Sequence, residues 1–229
     1  MQTTAEIRWF WPATLTAAAG VQEWFNNKSL HGTEVGNSVF RRDIYYLQAE
    51  PNAELGIKVR DADEKKNHRF VEIKSYLGDG LELSDPFDAA IELWSKLRTD
   101  LLKPTDECTP VDLKKHRWMR RFDMSTMEAT EMALNEKQLP IDLVMPTVGC
   151  DVELTRIDIG VDKIWWTIGF EAYGVFEYIE QALLIVLEKF GETGLPVYEG
   201  MEIASYPRWL ANRISDGTIK VTFDKIRLF

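Results

Sequence analysis

Charged side chains alternate with apolar ones along several short segments, and these are the residues best placed to do chemistry. In Leu55 to Arg60, Lys58 and Arg60 alternate with Ile57 and Val59. In Phe70 to Lys74, Glu72 and Lys74 alternate with Val71 and Ile73. Cys150 to Ile159 sets Asp151, Glu153 and Thr155 against Val152 and Leu154. Ile164 to Tyr173 sets Thr167, Gly169 and Glu171 against Ile168 and Phe170. A strand sends successive side chains to opposite faces, so each segment carries one polar and one apolar face. Lysines and arginines gathered opposite a few carboxylates suit a phosphate chain. The cations neutralise phosphate oxygens, and the carboxylates hold a bridging Mg2+. The most basic segment divides by the same rule into Lys115, Arg117 and Arg121 on one face and Lys114, His116 and Arg120 on the other. Only one of these sets can look into a shared interior.

Two arrangements satisfy this alternation. An open antiparallel sheet would turn its charged faces to water. A sheet closed into a barrel would enclose them, with the apolar faces outward beneath helices. The remaining segments supply such helices. Thr16 can cap a helix to about Phe25. Asp85 and Pro86 read as the start of another, with Phe87, Ile91, Trp94, Leu97 and Leu101 on one face. Ser125 and Glu128 form a capping-box pattern for a short helix to about Lys137, inside a surface insertion at about 123–140. Val175 to Phe190 is a fourth, ended by Gly191 and Gly194. Strands are expected at Glu6 to Trp11, Asp43 to Leu47 and Val111 to Phe122. A last one is expected at about 218–229, after the aromatic segment Tyr206 to Trp209. No linker divides the chain, so the expectation is one α+β domain spanning 1–229.

The whole-chain balance narrows the partners. With 229 residues, 27 Lys+Arg and 37 Asp+Glu, the formal net charge is −10. An acidic surface argues against a duplex-DNA binder. It also disfavours single-stranded nucleic acid at the basic segment containing Trp118 and Phe122. It leaves room for a basic interior. Two cysteines, Cys108 and Cys150, form no disulfide framework or four-cysteine zinc site and fit a reducing cytoplasm. His31, His68 and His116 lack metal-ligand spacing, and Gly78 and Gly80 do not complete a dinucleotide fingerprint. No apolar run is long enough to span a bilayer. The stretch after Arg8 is broken by Pro12, Thr14 and Thr16, unlike a secretory signal.

The order of segments from Glu6 to about Leu210 resembles the CYTH family, the triphosphate tunnel metalloenzymes. Lys58-Val59-Arg60 is similar to the family's basic strand, Val71-Glu72-Ile73-Lys74 to its lysine strand, and Lys115-His116-Arg117 to the next basic strand. Asp43-Ile44-Tyr45-Tyr46 resembles the aromatic strand before them, and Ser205-Tyr206-Pro207 a C-terminal segment. Glu171 falls where the family keeps the second glutamate of a late pair. The hallmark Glu-x-Glu-x-Lys departs: Glu6 is kept, Arg8 stands at the second glutamate and Phe10 at the lysine. Gly169 stands at the first glutamate of the late pair, and Ala204 where a lysine is expected.

The resemblance implies a closed or nearly closed antiparallel β-barrel, a tunnel with helices packed outside. It further implies a phosphorylated small molecule or inorganic polyphosphate as ligand, with Mg2+ or Mn2+. Arg8, Lys58, Arg60, Lys74, Arg117 and Arg121 would bind phosphate. Glu6, Glu153 and Glu171 would hold metal, and Glu6, Lys74 and Glu171 would serve catalysis of triphosphate hydrolysis. Losing a carboxylate and gaining a guanidinium at position 8 weakens any metal site. Arg8 would then either bind phosphate directly or pair with Glu153 or Glu171. The competing expectations are a non-catalytic phosphate-binding module and an interaction protein with an internal salt-bridge network.

Overall fold

Strand β1 (Gln2–Pro12) is buried from residue 4 to residue 11, so both of its faces are covered. In this computed structural model, which describes residues 1–47, 52–60, 70–85, 87–100, 109–160 and 163–220, the cause is closure of the sheet. The other barrel strands are β2 (Val39–Leu47), β3 (Leu55–Val59), β4 (Val71–Leu83), β5 (Ala89–Thr99), β6 (Thr109–Asp123), β8 (Gly149–Asp158) and β9 (Ile164–Tyr173). They pair antiparallel in the order β1-β5-β4-β3-β2-β6-β8-β9, and β9 pairs back onto β1 from Tyr173 opposite Thr4 to Trp165 opposite Pro12. The result is a closed eight-stranded barrel. A short β7 (Thr130–Met132) extends β6, and β10 (Glu202–Ile203) flanks β1.

Alternation then sorts the residues. On β1, Ala5, Ile7, Trp9 and Trp11 face outward into one hydrophobic cluster. Helix α3 (Phe176–Glu192) closes that cluster with Ile179, Leu183, Val186, Leu187 and Phe190. Burying such a side chain contributes about 1.5–3 kcal/mol, so this face anchors α3 against β1, β8 and β9. Thr4, Glu6, Arg8 and Phe10 point inward. Helix α4 (Tyr206–Ser215) forms a second cluster at the end of the barrel where β1 finishes: Trp209 stacks on Phe10 at 4.8 Å, with Tyr45, Leu113, Ile157 and Leu210 around it.

Three helix expectations are corrected. Residues 89–99 form β5, not a helix; Phe87 and Asp88 donate backbone bonds to the Ser84 carbonyl, and Asp88 has φ 41°. Asp85 and Asp88 therefore lie in the connection between β4 and β5 and cap no helix. Residues 125–137 form turns and β7, with Met127 at φ 59°. The helix expected from Thr16 to Phe25 is split into a 3-10 turn (Thr16–Ala18) and α1 (Val21–Asn26), with a one-turn α2 (Lys28–His31) following. Residues 218–220 are not in a strand, and 221–229, Cys108 and His68 lie outside the described residues. Arg120 turns away from the interior: its guanidinium bonds the Phe25 carbonyl and Glu131. Trp118 also faces outward, stacked on Trp166 at 5.9 Å, so it offers no platform to a ligand inside.

Candidate functional site

The barrel encloses a charged cavity of about 50 Å3. A cavity needs roughly 10–15 Å3 per water, so this one holds a few waters, or about one phosphoryl group. Six cations line it (Arg8, Arg41, Lys58, Arg60, Lys74 and Lys96) against four carboxylates (Glu6, Glu72, Glu153 and Glu171). Of the residues expected from the sequence, Glu6, Arg8, Lys58, Arg60, Lys74, Glu153 and Glu171 all meet here. Arg117 reaches the cavity through Glu153, at 3.2 Å, and is held by Gln138 at 2.9 Å. Arg121 is turned to Asp151, which it grips with two bonds of 2.6 and 2.7 Å. It does not line the cavity.

The carboxylates are shared between cations. Glu6 accepts from Lys74 at 2.5 Å and Lys96 at 2.8 Å. Glu72 accepts from Lys58 at 2.8 Å and Arg60 at 3.3 Å. Glu153 lies 3.3 Å from Arg8, and Glu171 lies 2.6 Å from Lys96. Deeper still, Asp43 sits between Arg41 at 3.0 Å and Lys115 at 3.1 Å, and neither Asp43 nor Lys115 is exposed at all. Burial opposes ionisation of Glu6, but Lys74 and Lys96 outweigh it and hold the carboxyl far below the usual range. The same balance, struck by Arg8 and Arg117, keeps Glu153 ionised. The cations divide: burial opposes the charge of Arg8, Arg41 and Lys96, but the carboxylates beside them outweigh it and hold all three up. Burial pulls Lys58 down to about 8 although Glu72 opposes, and Arg60 adds to the fall. Burial likewise depresses Lys115 although Asp43 opposes, and the like charge of Arg41 adds to the fall.

Several buried polar atoms around the cavity have no hydrogen-bond partner: Arg41 Nε, Arg60 Nε and the Tyr206 hydroxyl, together with Asp43 Oδ1. Buried polar groups are normally paired, and leaving one unmade costs about 1–3 kcal/mol. Two of these four can only donate, the Tyr206 hydroxyl can donate as well, and Asp43 Oδ1 alone can only accept, so the balance is short of acceptors. One end of the cavity is stopped by α4 and its aromatic cluster. Exposure rises toward the other end, where the side chains of Arg60, Glu171 and Arg98 are 26%, 29% and 55% exposed.

A divalent cation fits this donor set poorly. Mg2+ wants near-octahedral oxygen ligands, yet Glu6, Glu153 and Glu171 are each engaged by lysine or arginine. Among the described residues no cluster of three or more His, Cys, Asp or Glu is arranged to hold a metal.

Sequence reasoning missed Arg41, Lys96 and Arg98. Lys96 and Arg98 were hidden by the helix expectation over β5, although Ile91, Leu93 and Leu97 alternate with Glu92, Trp94, Lys96 and Arg98 at strand spacing. Arg41 alternates with Asp43 and Tyr45 just before the strand boundary read from the sequence.

No protein-family model and no curated protein matches the chain. Among solved structures, the S. pombe Pct1 RNA triphosphatase in complex with the Spt5 CTD is similar at 9% identity. The match covers 86% of this chain and 85% of that one, with a TM-score of 0.43. A likeness that remote bears on neither activity nor ligand. Among the described residues, no helix is long and apolar enough to cross a membrane.

Proposed function

We propose that this protein binds a phosphorylated anion in the cavity enclosed by its barrel. The observation that carries this is the acceptor shortage: buried, unpartnered donors from Arg41, Arg60 and Tyr206 border one cavity whose lining has more cations than carboxylates. A tetrahedral oxyanion supplies several acceptors and negative charge at once, and charge-assisted bonds to guanidinium are roughly twice as strong as neutral ones. The volume favours one phosphoryl group inside, with the rest of a phosphomonoester or polyphosphate extending past Lys96 and Arg98 to the wider end. Binding is proposed without turnover, because Glu6 is held by both Lys74 and Lys96, and Lys96 also holds Glu171.

The density of ion pairs favours a second reading, in which the charges are an internal network that only holds the barrel in shape. Calorimetric titration with inorganic phosphate and tripolyphosphate separates the two. The binding reading expects a saturable 1:1 isotherm that weakens at least tenfold in Arg60→Met and in Tyr206→Phe combined with Arg60→Met. A wild-type protein that binds neither anion at millimolar concentration is a structural network.

A further inference from the structure

We propose that Arg8 is a built-in cation that makes phosphate binding in this lumen independent of divalent metal, and that Gly169 is the residue that makes room for it. The proposal rests on the anion-site reading above and specifies how that site gets its charge.

Closure of the barrel places Arg8 on β1 directly opposite Gly169 on β9. Opposed residues on paired strands normally keep their Cβ atoms about 4.5–5.5 Å apart, with both side chains on the same face. Here only one of the two has a side chain, and it uses the space of both. A Cβ built on Gly169 would lie 2.4 Å from Arg8 Cζ, 2.6 Å from Nη2 and 2.7 Å from Nε. Gly169 has no positive φ among the glycines that do, so its lack of a side chain is explained by the close approach and not by backbone conformation. The guanidinium therefore lies across the bare backbone of β9. Its Nη1 points to Glu153 at 3.3 Å and the Thr167 hydroxyl at 3.4 Å, and its Cζ is 4.9 Å from the Tyr206 ring centre. The residue is 7% exposed.

The position decides the sign of the site. With arginine at 8 the cavity has six cations and four carboxylates. A carboxylate there would make five of each, and the lining would be neutral and open to a metal ion. A fixed guanidinium does what a divalent cation would do for phosphate oxygens: it supplies positive charge and, through its planar fork, directed donors. It also occupies Glu153, one of the carboxylates a metal would need. The metal implied by the family resemblance thus disagrees with these residues, and the disagreement is built from two positions acting together.

The test uses inorganic phosphate and Mn2+ as separate probes of the full chain. Calorimetry in EDTA and in excess Mg2+ should give the same phosphate affinity within about twofold, and spin-resonance titration with Mn2+ alone should show no stoichiometric site. Arg8→Met should weaken phosphate at least tenfold, with no rescue by Mg2+. Gly169→Ala should weaken it as well, because the guanidinium is pushed into the cavity. In an Arg8→Ala background the same Gly169→Ala change should leave the melting temperature unmoved, which reads the pairing without any ligand and covers the case in which Arg8→Met folds badly. Phosphate binding that requires Mg2+, or a stoichiometric Mn2+ site in the wild type, overturns this proposal and leaves the anion site standing. Absence of phosphate binding in both buffers overturns both. Equal melting losses for Gly169→Ala with and without Arg8 show that the two positions are not a pair.

Discussion

Asp43→Asn is the sharpest single perturbation of the deep end of the barrel. The carboxylate has no exposure and is shared by Arg41 at 3.0 Å and Lys115 at 3.1 Å. At 3 Å and an effective dielectric near 20, one such attraction is about 5 kcal/mol before desolvation is counted. Removing one partner of a buried pair costs about 3–5 kcal/mol, because the other charge is left without compensation. Lys115 softens the loss: burial already depresses its pKa, so it can shed its proton when Asp43 is neutralised. Arg41 cannot: its guanidinium stays charged beside whatever replaces Asp43, and the burial that Asp43 now outweighs is left uncompensated. The expected loss is therefore near the lower end, about 3 kcal/mol. At roughly 2–4 °C per kcal/mol for a domain of this size, the melting temperature should fall by about 6–12 °C. Thermal unfolding followed by circular dichroism at neutral pH measures it. Phosphate should return part of the loss, since an anion in the cavity supplies the missing charge and stabilises by mass action. A loss below about 1 kcal/mol would falsify the picture of a buried, charge-dependent deep end, because it would mean that water already screens Asp43 and its partners.

The lysine at position 58 gives the site a pH signature. Its folded-state pKa is about 8, below the ordinary 10.5. Between those values the unfolded chain holds more protons, so this group makes stability rise with pH across that window. Anion binding runs the other way: only protonated Lys58 attracts phosphate, so affinity should fall above about pH 8, with proton uptake on binding. Calorimetry in two buffers of different ionisation enthalpy detects that uptake; constant affinity from about pH 7 to about 9.5 rules it out. Gly56→Ala probes the stopper at the closed end. A Cβ there would sit 2.8 Å from Pro207 Cγ, in a ring that cannot rotate away, so α4 must move. A loss of about 1–3 kcal/mol is expected from chemical denaturation, and an unchanged midpoint would show that α4 seats loosely.

Much of the interior was legible in the sequence because strand periodicity is geometric. Lys58 with Arg60, Glu72 with Lys74, and Glu153 with Thr155 were assigned to shared faces from spacing alone, and the fold places each of those faces inside the barrel. Residues 89–99 show where spacing fails. Ile91 and Leu97 fit both a helical stripe and a strand face, and the acidic turn before them imitates a helix cap. What decides for the strand is tertiary: β4 and β1 each need a partner, and β5 lies between them. Two further features could not be read locally. Arg8 and Gly169 were both visible as departures from a family pattern, but that one fills the space of the other depends on which strands meet at closure. Tyr206 and Trp209 read as a small aromatic segment, and only the packed helix shows them stopping one end of the cavity.

A crystal soaked with tungstate, an electron-dense mimic of phosphate, tests the central claim most directly. The account predicts one strong anomalous peak inside the barrel, with tungstate oxygens within about 3 Å of donors from Arg41, Arg60 and Tyr206, in crystals kept free of divalent metal. Peaks confined to the outer surface at saturating tungstate, with the interior ion pairs unchanged, would contradict it.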